Sequence, residues 1–133
     1  VLALGGDGVE ILGDVDDIGQ VLRRAAVAAF PETFGRGTRN SVLEAIAAGC
    51  PVVADASSAR GIPTGDHIVL ASSPTLLGEA VADLLLDRTR RELVASAATR
   101  AADGLPTWDD AAHSYNAVLM AMAERQGEGR ARC

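Results

Sequence analysis

"GTRNSVLEAIAAGCPVVA", Gly37 to Ala54, sets a glycine-led polar turn, a short helix, a second turn and an apolar strand one after another. Val42, Leu43, Ile46 and Ala47 recur at helical spacing and form the expected inward face, and Thr38, Asn40 and Ser41 offer side-chain oxygens to cap the helix start. Pro51 to Ala54 is short and apolar, as a buried strand is. Just upstream, Val27 to Phe30 is a second such run, ending at Pro31. Strand, turn, helix and strand in that order predict one unit of a parallel sheet.

The same alternation extends in both directions. Val1 to Leu4 and Val9 to Leu12 are apolar runs closed by "GGDG" and "GD", the pattern of strands and turns. Ile18, Val21, Leu22 and Ala25 then form a helical stripe that Asp16 or Asp17 caps. Beyond the opening stretch, Asp55 to Asp66 is rich in Ser, Gly and Pro and reads as a loop, followed by a strand at His67 to Leu70. Ser73 caps the next helix with Pro74 in its first position, and Leu77, Val81, Leu84 and Leu85 are its core stripe. A helix over Arg88 to Ala102 stops at "DGLP", and Thr107 starts the last, where Ala111, Tyr115, Val118, Leu119 and Met122 share a face. The expected fold class is α/β, an open Rossmann-like parallel sheet flanked by helices. Ligands on such sheets bind beyond the carboxyl ends of the strands, which here means the turn after Phe30 and the loop after Ala54.

Composition narrows the function. The hydrophobic fraction is 48% but aromatic residues are only 3%, so the core is built from Ala, Val, Leu and Ile. All basic residues are arginine; with no lysine, any lysine-dependent mechanism is closed. A net charge of −6 argues against non-specific binding to nucleic acid or to an anionic membrane. Cys50 and Cys133 are far apart and lack neighbouring His, which disfavours metal or redox frameworks and points to the cytoplasm. The expected organisation is one partial domain over 1–124 and a disordered, glycine-rich tail over 125–133.

Chemistry concentrates at the helix start. Gly37 lets the backbone approach a ligand closely, and the first turn offers N–H groups and a partial positive charge to a phosphate. Arg36 and Arg39 flank that turn and can add charge-assisted bonds. Glu44 follows Asn40 by four residues, so both project from one face, away from the apolar stripe. A carboxylate one turn inside an anion site can accept two hydroxyl hydrogen bonds from a ribose. The alternative is a solvated helix whose Glu44 is ordinary surface charge.

"PETFGRGTRNSVLEAIAAGCPVVAD" resembles the signature of the retaining glycosyltransferases of the GT-B fold, family 4: a strand ending in Pro and Ser or Glu, a glycine turn, then Leu-Glu-Ala-(Met/Ile)-Ala-x-Gly-x-Pro-Val-Val. "VEILGDVDDIGQVLRRAAVAAFPE" resembles the family's preceding strand, helix and strand, and the segment from Pro74 through Trp108 to Tyr115 resembles its terminal helices. The resemblance implies the C-terminal, donor-binding domain, truncated at its N-terminal side, with a nucleotide diphosphate sugar of UDP or GDP type as ligand. It further implies that Glu44 is the second, ribose-binding glutamate of an E-x7-E pair. The first would fall at Arg36, so no catalytic carboxylate is carried over there. Gly37, Thr38 and Asn40 are expected as turn and phosphate contacts, with Arg36, Arg39 and Arg60 as arginine contacts to the donor. "SSARGIPTGDH" resembles the later Ala-x-Gly-Leu loop of a sub-group that departs in the same way at its first glutamate. Neither a metal nor another cofactor is required. An acceptor domain or partner chain completes the enzyme, and an exposed sheet edge makes homo-oligomers an expectation. A non-catalytic α/β binding or assembly module is the competing reading.

Other signals have plainer explanations. Asp14 and Asp16 form a DxD, but a capping role before the amphipathic helix is favoured over a metal site. "GGDGVEILG" lacks GxGxxG and reads as a tight turn. A receiver domain would need a lysine that this chain lacks. The arginines at 88, 90 and 91 read as a solvated helix start near Asp87 and Glu92.

Overall fold

The computed structural model describes residues 6–31 and 39–130, without the side chains at 124 and 126–130. Three strands, β1 (Ala28–Phe30), β2 (Val52–Asp55) and β3 (Ile68–Ala71), form a parallel sheet in the order β1-β2-β3. Ala28 pairs with Val52, and Val52 with Ile68, so all three strands end at one rim, at Phe30, Asp55 and Ala71. The helices among the described residues are α1 (Ile18–Arg24), α2 (Asn40–Ala47), α3 (Pro74–Leu86), α4 (Arg88–Ala102) and α5 (Trp108–Arg130). The chain divides into two compact units, Val1–Asp103 and Gly104–Cys133, and the sheet belongs to the first. This is the expected α/β, Rossmann-like arrangement. No helix among the described residues is long and apolar enough to cross a membrane.

The core is made of small aliphatic side chains. Val53, Ala71, Leu77, Leu84 and Val94 form one buried cluster, with Val27, Val69, Ala80 and Val81 packed against it. On the strands these are Val53, Val69 and Ala71, which share one face because side chains alternate along a strand. Leu77 and Leu84, two turns apart on α3, meet them, and Val94 contributes from α4.

Local chemistry sets the helix ends. Asp17 caps α1, its carboxylate accepting from the Gln20 amide at 3.1 Å, and Ser73 caps α3 through the Leu76 amide at 3.2 Å with Pro74 in the first turn. Asp87 both ends α3 and starts α4, accepting from the Arg90 amide at 2.9 Å. Arg91 is more than a solvated cation: its Nη1 donates to the carbonyls of Leu84 at 2.7 Å and Leu85 at 2.9 Å, satisfying oxygens that the end of α3 leaves open.

The end of α2 shows why the "AAGC" turn contains a glycine. Gly49 has φ of 71°, its amide donates to Ile46, and the Cys50 amide donates to Ala45, the paired bonds of a Schellman motif. A Cβ at Gly49 would stand 2.9 Å from Thr99 Oγ1 on α4. Gly49→Ala is therefore expected to cost about 1–2 kcal/mol from the left-handed backbone alone. Thr99→Ala should relieve only the added contact, and thermal unfolding of the two single variants and the double variant separates the terms.

Several expectations change, among them that Leu85, read as part of the α3 core stripe, is exposed. Val9 to Leu12 is no strand: Gly6 and Val9 form an isolated antiparallel bridge around a tight turn, and Val9 and Leu12 are exposed. Val1 to Leu4 lies outside the described residues. The inward face of α2 is Val42, Ala45 and Ile46; Leu43 is half-buried and Ala47 exposed, because the helix turns its small Ala45 toward its neighbours. The residue preceding α2 is Arg39, so Asn40 and Ser41 lie inside the helix and are not its N-cap. α5 runs from Trp108 to Arg130.

Candidate functional site

Helix α2 follows β1 in chain order and precedes the parallel β2, so its start lies at the rim where the strands end. Its first internal bonds run from the amides of Val42 and Leu43 to the Arg39 carbonyl, at 3.1 and 3.3 Å. Arg39 makes no side-chain cap to the helix, and a helix start of this kind carries a partial positive charge. Asn40, Ser41 and Glu44 are exposed, whereas Val42, Ala45 and Ile46 are buried. The polar face therefore carries the glutamate one turn inside the helix start, and the apolar face holds the helix in place.

Of the expected site residues, Arg39, Asn40 and Glu44 are thus brought together on one helix. Arg36, Gly37 and Thr38 lie outside the described residues. Arg60 is exposed in the loop between β2 and β3, its amide donating to Ser57 at 3.3 Å. His67, half-buried just before β3, closes the same loop through a hydrogen bond from Nε2 to the Pro63 carbonyl at 2.9 Å.

The rim also contains a cluster that sequence reasoning missed. Asp55, the last residue of β2, accepts from the Ser57 amide at 2.7 Å, the Ser57 hydroxyl at 2.6 Å and the Ser58 amide at 2.9 Å, all on Oδ1, and from the Ser58 hydroxyl at 3.3 Å on Oδ2. The Phe30 carbonyl lies 3.4 Å from the same hydroxyl, so the hydroxyl's one proton is shared between the ends of β1 and β2. The available signal was an acid at a strand end with serines two and three residues on, an Asx-turn pattern. A groove lined by Ala56, Ala71, Ser72, Leu76 and Glu79 opens beside it, where β2 and β3 end.

Burial pushes the Asp55 carboxyl up, but the hydrogen bonds from Ser57 and Ser58 outweigh it and hold the pKa below its ordinary 3.8. A carboxyl depressed by folding stabilises the turn fully above the unfolded pKa, and that contribution is lost as pH falls through the folded value. The Ser57 and Ser58 amide resonances should therefore shift with a midpoint below pH 3.8. A midpoint at or above that value would show that these bonds do not hold the turn in solution.

The family described as glycosyl transferases group 1 matches residues 2–87, which include the three strands, α2 and Arg60. No curated protein and no solved structure matches the chain.

Proposed function

Because the chain belongs to the group 1 glycosyl transferases, we propose that it holds a sugar donor through the start of α2, with Glu44 accepting hydrogen bonds from the ribose of a nucleoside diphosphate. The membership itself implies a sugar donor and an acceptor. The finer reading is a family 4, retaining transferase using a UDP- or GDP-type donor. The observation that carries it is the exposed carboxylate of Glu44 one turn inside the start of α2, at the rim where the strands end.

Chemically, a nucleophilic group of the acceptor bonds to the anomeric carbon as the bond to the diphosphate breaks; the diphosphate leaves with the electron pair and takes up the proton that the acceptor loses. Amide groups of the helix start oppose that growing negative charge, and they are oriented before the reaction begins. Arg36, Arg39 and Arg60 are the chain's candidates to share the load. Gly37, Thr38 and Asn40 would line the phosphate side. The acceptor would be held by a further domain or a partner chain.

Calorimetric titration with UDP, GDP, ADP and NAD tests the reading. Saturable binding of one nucleoside diphosphate, with no response to NAD, is the expected result. The competing reading, a non-catalytic α/β binding or assembly module, draws its support from Arg36, which stands where the family's signature has its first glutamate. It predicts no response to any of the four.

A further inference from the structure

Ser58 is the one fully buried polar side chain among the described residues, at 0% exposure. A buried hydroxyl is costly unless it is hydrogen-bonded, and this one lies between the Phe30 carbonyl and the Asp55 carboxylate. The two partners belong to the ends of different strands. We propose that Asp55 is a positioning residue for the donor site, folding the turn after β2 so that Ser58 locks to the end of β1 and Arg60 is presented at the rim. This rests on the donor reading above.

The bonds trace a continuous path. From Asp55 the carboxylate gathers Ser57 and Ser58, and its carbonyl accepts from the Ala59 amide at 3.1 Å. Ala59 in turn accepts from Ile62 at 3.1 Å. Ala59 and Ile62 are each 5% exposed, so exposed Arg60 projects from a turn buried immediately before it and two residues after it. An arginine side chain is long and loses rotamer freedom on binding, and a fixed backbone lowers the remaining cost of placing its guanidinium. Asp55 itself has its acceptor positions directed at chain donors, which suits a residue acting through Arg60 more than one touching a ligand.

The test compares the 133-residue chain with Asp55→Ala, Asp55→Asn, Arg60→Ala and the Asp55→Ala/Arg60→Ala pair. Each is titrated with UDP, GDP and ADP, and amide hydrogen exchange is followed at Ala59 and Ile62. Asp55→Ala should strip protection from both amides while α3 stays protected, and should weaken nucleotide binding about ten-fold. In the Arg60→Ala background the same change should add less than about two-fold, the non-additivity expected of residues that act as a unit. Asp55→Asn keeps an oxygen for the Ser57 and Ser58 amides and should recover most of both losses, which separates positioning from misfolding. Additive losses, unchanged affinity despite a loosened turn, or unchanged protection would each overturn the inference. If Glu44→Gln weakens binding and Asp55→Ala does not, the donor reading stands without it; if the unsubstituted chain binds none of the three nucleotides, both fall.

Discussion

Leu84→Ala is expected to destabilise the sheet-bearing unit by about 3 kcal/mol, within the usual range for a buried leucine truncated to alanine. Leu84 has 0% exposure and packs in the cluster with Val53, Ala71, Leu77 and Val94. Its neighbours are mostly valine and alanine, short side chains that cannot swing in to fill the space. The substitution leaves helix propensity unharmed, since alanine is the better helix former, so the loss reports packing. For a unit of this size it corresponds to a melting temperature lower by roughly 12–24 °C. Leu86→Ala on the same helix is the control: Leu86 is 87% exposed, and its truncation should stay within about 0.5 kcal/mol. Equal losses at both positions would mean that the cluster is not the core.

Glu44→Gln should weaken nucleoside diphosphate binding by about 1–3 kcal/mol, or roughly 5- to 150-fold, the scale of hydrogen bonds made by a charged group. Glutamine has nearly the shape and helix propensity of glutamate, and Glu44 is exposed, so thermal stability should hardly move. A loss of affinity at constant melting temperature therefore isolates the site from the fold. A melting temperature that falls with the affinity would instead mark Glu44 as part of the scaffold.

Much of the scaffold was legible because its signals are local. The helix over Arg88 to Ala102 has the expected bounds, since Asp87 supplies the cap and "DGLP" the stop. Ser73 and Pro74 likewise announce α3. Strands were displaced by one residue: β2 begins at Val52 rather than Pro51, which has no N–H to give a ladder, and β3 begins at Ile68 rather than His67. The run Val9 to Leu12 is not a strand, since apolarity alone does not distinguish a strand from an exposed turn. The exposed position of Glu44, one turn into a polar-faced helix, was recognisable from spacing. Asp55 and Ser58 were not, because their role depends on the Phe30 carbonyl, 28 residues from Ser58 in sequence. The helix cap was misjudged for a related reason: several neighbouring polar residues compete, and only the backbone's path places Arg39 outside the helix.

The most direct measurement is a cycle between Glu44 and the ribose. The nucleoside diphosphate that binds and its 2′,3′-dideoxy counterpart are titrated against the chain and against Glu44→Gln. If the carboxylate accepts the ribose hydroxyls, removing them weakens binding to the parent roughly 5- to 150-fold and changes binding to Glu44→Gln far less, because the interaction is already gone. If the dideoxy compound loses as much against Glu44→Gln as against the parent, Glu44 does not touch the ribose, and the donor site assigned to α2 is wrong.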